Sequence, residues 1–227
     1  MLIRDKIYVS KVKKEENAMN RIEHREEGSI FPFVEYSPKN RGEGLPIIIQ
    51  LHGAGERGNG GADLSLVDVH GFSKVISEKD YPCIFIMPQC PNGTFWAAKV
   101  ESIVSFAEFL INKYAADPER IYLTGLSMGG YGTWFTAMAR PDLFAAIAPV
   151  CGGGMAWNAG VLTMPVWAFH GAEDKSVDVF HSDDMVARMK KHDLDVRYSR
   201  FDGVGHDVWK KTYDEELLNW FLQHKKK

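Results

Sequence analysis

Three cysteines in 227 residues are too few for a disulfide framework, and none of Cys83, Cys90 and Cys151 has the C-x-x-C spacing of a zinc ribbon. The expectation is buried thiols in a reducing compartment, with at most one bridge. An excess of charge is lacking as well. Lys+Arg 27 against Asp+Glu 30 leaves −3, which gives no basic surface for nucleic acid. The one basic run, His224–Lys227, reads as a solvated tail. No apolar run approaches the roughly 18 residues of a membrane span. The segment Met1–Lys6 is too charged for a signal peptide, so the expected location is cytoplasmic. There is no H-E-x-x-H and no Gly-Lys-Ser/Thr after a glycine-rich loop, which leaves neither a zincin nor a phosphate loop. Asp183-Asp184 beside His181 read as a solvated helix face, and no metal or cofactor is expected.

Repeats and low-complexity linkers are absent too, so the chain is read as one domain over residues 1–227. Within it, residues 1–36 are expected to supply antiparallel edge strands at Lys6–Val12 and Ile30–Tyr36. Residues 45–222 change texture. Short apolar runs at Pro46–Leu51, Cys83–Met87, Ile121–Thr124, Ala145–Val150, Val166–Phe169 and Val196–Phe201 read as strands buried on both faces. Between them, Val100–Tyr114 has apolar residues at three- and four-residue steps and predicts a helix. Tyr131–Arg140, Ser176–Lys191 and Thr212–Gln223 read as further helices, and Asp68–Glu78 as a weaker one. Strands alternating with helices predict a mostly parallel twisted sheet of about eight strands with helices on both faces. In such sheets sites gather at the carboxyl ends of the strands.

One such end is Gly125-Leu126-Ser127-Met128-Gly129, a G-x-S-x-G placed between a strand and a helix. A sharp turn there strains the serine, lifts its hydroxyl clear and needs glycine two residues to either side. Ser127 is the candidate nucleophile. A serine hydroxyl needs a base, and in this topology the order is serine, acid, histidine. His24, His52 and His70 precede Ser127. His181 and His192 lie on a helix expected to be polar, His224 is in the tail, and His170 precedes the acid. His206, in a Gly-rich loop after the last strand, is the candidate base. The acid belongs in the loop after Val166–Phe169, where Glu173, Asp174 and Asp178 compete on position. The glycine-rich Leu51–Gly61 segment offers one backbone N–H to an oxyanion and the residue after the nucleophile offers another, which assigns Ala54 and Met128. Glu56 and Arg57 are expected to pin this loop with a mutual salt bridge. Trp96, Trp157 and Trp209, with Phe95, lie near strand ends and are candidates for a substrate pocket.

Taken in order, LHGAGERG (51–58), PQCPNGTFW (88–96), GLSMGGYGTW (125–134), HGAEDKSV (170–177) and GVGHDVW (203–209) resemble the α/β-hydrolase superfamily. More narrowly, they resemble its small phospholipase/carboxylesterase branch and its polyhydroxybutyrate-depolymerase and feruloyl-esterase-like esterases. The resemblance favours Asp174 as the acid, because the family acid falls three residues after the His-Gly glycine. It implies a serine carboxylesterase acting on a small-molecule ester, either short-chain or aromatic-acid. A thioesterase or small peptidase would use the same Ser127, Asp174 and His206, and a binding module with a relic triad is the non-enzymatic rival. The short, Gly-rich Cys151–Met164 segment leaves no room for a large helical cap. Either a monomer or a homodimer is compatible with the sequence.

Overall fold

A computed structural model describes residues 19–25, 29–77 and 79–226. It contains an eight-stranded sheet in the order β1-β2-β4-β3-β5-β6-β7-β8. The strands are β1 (Asn20–His24), β2 (Phe33–Ser37), β3 (Ile47–Leu51), β4 (Ile84–Pro88), β5 (Ile121–Leu126), β6 (Ala146–Val150), β7 (Val166–Gly171) and β8 (Val196–Phe201). The pairs from β4 through β3 to β8 are all parallel, while β1–β2 and β2–β4 are antiparallel. The expected strand at Lys6–Val12 lies outside the described residues. Among the described residues the outermost antiparallel strand is β1, whose Asn-Arg-Ile-Glu-His sequence is too short and charged to stand out. An edge strand with both faces near water has no need of apolar alternation.

The alternation along the central strands sorts the core into two layers. Ile47, Ile49 and Leu51 of β3 point to one face with Ile84 and Ile86 of β4. That face is covered by α2 (Val100–Tyr114), α3 (Met128–Ala139) and α4 (Phe180–Lys191). Ile48, Phe85 and Met87 point to the other face, against α1 (Ser73–Ile76) and α6 (Glu215–Leu222). Gln50 shares this second face although it is polar. Its Nε2 donates to His70 O at 2.9 Å and its Oε1 accepts from Phe72 N at 2.8 Å, so burial leaves neither end unpaired. β8 departs from the expectation of a strand buried on both faces. It is a half-exposed edge strand, and its Val-Arg-Tyr-Ser-Arg-Phe alternates accordingly.

Two helices begin later or break earlier than their periodicity predicts. The Ser176–Lys191 pattern becomes helical only at Phe180, because Asp174 and Asp178 accept backbone N–H groups from Ser176, Val177 and Phe180 and hold the segment in turns. The Thr212–Gln223 pattern overlaps only the last residue of α5 (Trp209–Thr212) and becomes helical again at α6, which Asp214 caps by accepting from Leu217 N at 2.9 Å. The Asp68–Glu78 pattern yields only α1, preceded by a 3₁₀ segment at Ala62–Leu66.

The chain leaves β3 toward β4 on one side and returns to β5 on the other. The carboxyl ends of β3 and β5 therefore frame the crevice where open parallel sheets bind ligands. Between β6 and β7, the described residues contain one 3₁₀ turn, Ala156–Val161, and no helical cap. Among the described residues, no helix is long and apolar enough to cross a membrane. All three cysteines are free and buried.

Candidate active site

Ser127 stands between the end of β5 and the start of α3 with φ 54° and ψ −114°. This is left-handed backbone that a non-glycine residue enters at a cost of about 1–3 kcal/mol. The flanking glycines permit the turn for a steric reason. A Cβ on Gly125 would lie 2.4 Å from Gly129 O, and one on Gly129 would lie 2.1 Å from Leu51 O. β5, α3 and β3 are thus in backbone contact around the serine. The turn is tied down from both sides, because Ser127 N donates to Val150 O at 2.9 Å and Tyr131 N donates to Ser127 O at 3.1 Å.

The loop after β8 carries His206 to this turn. Ser127 Oγ donates to His206 Nε2 at 2.9 Å, and His206 Nδ1 donates to Asp174 Oδ2 at 2.7 Å. The three residues come from the ends of β5, β7 and β8. Asp174 is fully buried and its other oxygen, Oδ1, accepts from Ser176 N at 2.8 Å and Val177 N at 2.9 Å. Burial pushes its carboxyl up, but hydrogen bonds from His206, Val177 and Ser176 outweigh it and hold the group below the usual carboxylate range. The rival acids do not reach His206. Glu173 is exposed with its N–H on Val204 O, and Asp178 is exposed and bonds Phe180 N.

A second histidine backs the acid. His170 is fully buried, with Nδ1 2.7 Å from Ser182 Oγ and Nε2 3.0 Å from Val177 O. Its Nε2 also lies 3.3 Å from Asp174 Oδ2. Burial holds this imidazole below its usual range, against the opposing pull of Val177 O and Asp174. Order along the chain excluded His170 as the base; its role as a support for the acid was not foreseen.

Ala54 opens a one-turn 3₁₀ segment, Ala54–Glu56, and Met128 is the first residue of α3. N–H groups in those positions precede any intrahelical acceptor and are available to a ligand. The loop behind Ala54 is tied down by hydrogen bonds. His52 is buried, with its Nε2 accepting from Cys90 N at 2.9 Å and its carbonyl accepting from Trp96 Nε1 at 3.0 Å. Burial pushes this imidazole down to about 4. The expected Glu56–Arg57 salt bridge is not formed. Arg57 instead donates to Ala54 O at 2.9 Å and Thr94 O at 3.1 Å, which clips the loop to the segment bearing Phe95. Glu56 lies 3.9 Å from both His52 and His70.

The three tryptophans part company. Trp96 is fully buried, edge-on to His52 and Phe31, and is a strut under the glycine-rich loop rather than a pocket wall. Trp157 is 76% exposed and borders an adjoining groove with Phe180 and Arg188, which shares Gly154 and His181 with the cavity beside Met128. Trp209 stands edge-on to His206, with ring centroids 5.3 Å apart, and backs the imidazole. The cavity beside Met128 has other walls. It measures about 500 Å³ and is lined by Phe95, Ala97, Met128, Tyr131, Phe135, Gly154 and His181. Of these, only Phe95 had been picked out as pocket-forming. His181 lies on the exposed surface of α4 as expected, but its ring packs edge-on to Tyr131 at 5.8 Å and closes one side of the cavity. Tyr131, four residues after the serine, had a signal available, since one helical turn returns it toward the site.

The sequence model of the prolyl oligopeptidase family matches residues 97–157, the stretch that carries α2, the serine turn and α3. A bifunctional acetylxylan esterase/xylanase of Neocallimastix patriciarum is 27% identical over 150 residues, covering 64% of this chain and 21% of the relative. A poly(3-hydroxyalkanoate) depolymerase C of Paucimonas lemoignei is 24% identical over 132 residues, covering 52% of this chain and 30% of the relative. The chain thus spans less than a third of either relative. A solved thermostable esterase superposes with a TM-score of 0.75 at 28% identity, over 91% of this chain and 63% of that one. This sheet order, the serine turn at the end of β5 and the superposition give the chain an α/β-hydrolase fold, and in sequence it is similar to acetylxylan esterases and polyhydroxyalkanoate depolymerases.

Proposed function

We propose that the chain is a serine carboxylesterase in which Ser127, His206 and Asp174 carry a two-step acyl transfer. The observation that supports this most directly is the unbroken relay of 2.9 Å and 2.7 Å hydrogen bonds from a strained serine to a buried, ionised acid. His206 Nε2 takes the proton as Ser127 Oγ attacks the ester carbonyl. The Ala54 and Met128 N–H groups receive the oxyanion, and losing one such donor typically costs ~3 kcal/mol of transition-state stabilisation. His206 then returns the proton to the departing alcohol. Water repeats the sequence on the acyl-enzyme. Every step runs on the chain's own side chains and backbone.

The 500 Å³ apolar cavity beside Met128 is the proposed acyl site. Its volume lies within the usual range for small-molecule pockets. Short acyl chains and aromatic acids both fit walls made of Phe95, Tyr131 and Phe135. The absence of a cap among the described residues argues for ester substrates that reach the site from open solvent. One observation favours a second reading. The prolyl oligopeptidase likeness over residues 97–157 admits a small serine peptidase using the same triad.

Steady-state rates on p-nitrophenyl acetate, butyrate and a long-chain ester, on methyl ferulate, on an acyl thioester and on a peptide anilide separate these readings. Esters are expected to turn over fastest, with acetate, butyrate or ferulate above the long chain. Faster amide or thioester turnover overturns the esterase reading. Ser127→Ala is expected to abolish all of these activities, and an unchanged rate in that variant would remove the site assignment altogether.

A further inference from the structure

The proposed reaction leaves unused a thiol that lies under the triad. Cys151 directly follows β6, its N–H donates to Phe169 O at 2.8 Å, and its side chain is fully buried. One ligand atom from each of Cys151, Asp174 and His206 lies within 4.8 Å of the other two. Among the described residues this is the one group of three His, Cys, Asp or Glu side chains so gathered.

We propose that Cys151, Asp174 and His206 form an inhibitory binding site for a soft divalent cation, with Zn²⁺ the best match. The donor set is one thiolate, one imidazole and one carboxylate. This suits zinc, which takes three protein ligands and a water in open tetrahedral sites, and it does not suit the oxygen-seeking Ca²⁺ or Mg²⁺. The site charge closes to zero, since the cation's two charges meet one thiolate and one carboxylate. Tetrahedral zinc–ligand distances of about 2.0–2.3 Å set the ligand atoms roughly 3.3–3.7 Å from each other, so the 2.7 Å His206–Asp174 pair opens to admit the ion while the more distant contacts close in. His206 has the slack for this, because it sits on the Asp202–Gly205 loop and its side chain is 25% exposed. The same exposure is the route of entry.

Binding has a defined proton balance. The Cys151 thiol releases one proton to solvent. His206 Nδ1, which faces Asp174, gives its lone pair to the metal, and its proton moves to Nε2. No redox step is involved. With Nε2 protonated, His206 no longer accepts from Ser127 Oγ, and the base is locked in the wrong tautomer. The ion therefore binds at the back of the triad and stops the reaction without occupying the acyl cavity. The inhibitory half of this proposal rests on the esterase reading, whereas the binding half does not.

The test is a Zn²⁺ titration of the chelator-stripped protein by calorimetry in buffers of different ionisation enthalpy, with the p-nitrophenyl acetate rate followed in parallel. One zinc per chain, one proton released, and inhibition reversed by EDTA are expected. The inhibition should be non-competitive with the ester. Co²⁺ in place of Zn²⁺ should give a thiolate-to-metal charge-transfer band. Changes beside a metal ligand cost about 10–100-fold in affinity, so removing a ligand in Cys151→Ala or Cys151→Ser should weaken zinc by about 100-fold or more and abolish the cobalt band. Either variant, folded by circular dichroism, binding zinc within threefold of the parent overturns the proposal. So does a parent protein that binds Co²⁺ without the thiolate band, a result that needs no variant. Zinc binding with the thiolate signature in a protein that hydrolyses no ester would sink the esterase reading and leave the metal site standing.

Discussion

Replacing Asp174 by Asn tests the triad at its most constrained point. Asp174 Oδ1 accepts two backbone N–H groups, from Ser176 and Val177, and Oδ2 accepts from His206 Nδ1. An asparagine keeps the shape but has only one accepting atom. The amide oxygen will take the Oδ1 position, because turning it away would set its NH₂ against two N–H donors that cannot move. The NH₂ then faces His206 Nδ1 at 2.7 Å, donor against donor. The imidazole relieves this by carrying its proton on Nε2, so that Nδ1 accepts. In that tautomer Nε2 no longer accepts from Ser127 Oγ at 2.9 Å. The base is lost while the fold is kept. The same tautomer trap in a serine protease lowers kcat by about 10⁴, which is about 5.4 kcal/mol at 1.36 kcal/mol per decade. The assay is kcat and KM for p-nitrophenyl acetate at neutral pH, with the urea midpoint measured beside it. A kcat loss near 10⁴ with KM within a few-fold and an unchanged midpoint is the expected outcome. Asp174→Asn retaining a tenth or more of kcat would refute both the tautomer argument and the choice of acid.

Gly129→Ala should be a folding lesion rather than a catalytic one. Its Cβ would lie 2.1 Å from Leu51 O, which is backbone that cannot step aside, so a loss of at least about 3 kcal/mol in urea unfolding is expected. A loss of unfolding free energy below a third of that would show that β3 and α3 are less rigidly apposed. Tyr131→Ala opens one wall of the Met128 cavity. KM for butyrate and ferulate esters should rise about tenfold with kcat for acetate little changed, the pattern of lost uniform binding; equal effects on all esters would place the acyl group elsewhere. Glu35 is buried in β2, and burial pushes its carboxyl up, but hydrogen bonds from Tyr114, Ser37 and His24 bring it below its ordinary value. A folded pKa below the unfolded value of about 4.3 means that this stabilisation is present at neutral pH and is lost as pH falls through the folded pKa. The urea midpoints of Glu35→Gln and the parent should therefore differ at pH 7 and converge on acidification. A gap that widens toward low pH would reverse the sign of the argument.

The parts of the site that were legible in the sequence are those in which chemistry demands a residue type in a fixed setting. Ser127 needs glycine on both sides because β3, β5 and α3 come into backbone contact there, and that demand is written as G-x-S-x-G. His206 followed from the order of the triad. The cavity beside Met128 was not legible, because an aromatic in a strand-end loop reads the same whether it faces in or out. Trp96 turned inward, where its Nε1 reaches the His52 carbonyl, while Tyr131 and His181 on two different helices supplied the walls. The late start of α4 was hidden for a related reason. Asp174 takes the Ser176 and Val177 N–H groups for its own anchoring, so the residues that fix the acid are withheld from the helix. The Asp214 cap lies inside the expected Thr212–Gln223 helix and was missed, although Asp-Glu-Glu ahead of an apolar run is its signal.

β8 has a neighbour on one side only, and it is the strand that delivers His206 to the serine 79 positions away. Local opening of a protein runs from its edges inward at a lower free energy than global unfolding. When β8 lifts from β7, the imidazole leaves with it, while the β3–β4–β5 centre and its helices stay paired. The proposed activity therefore depends on an edge strand staying paired. On warming, turnover should fade before the far-ultraviolet circular dichroism does.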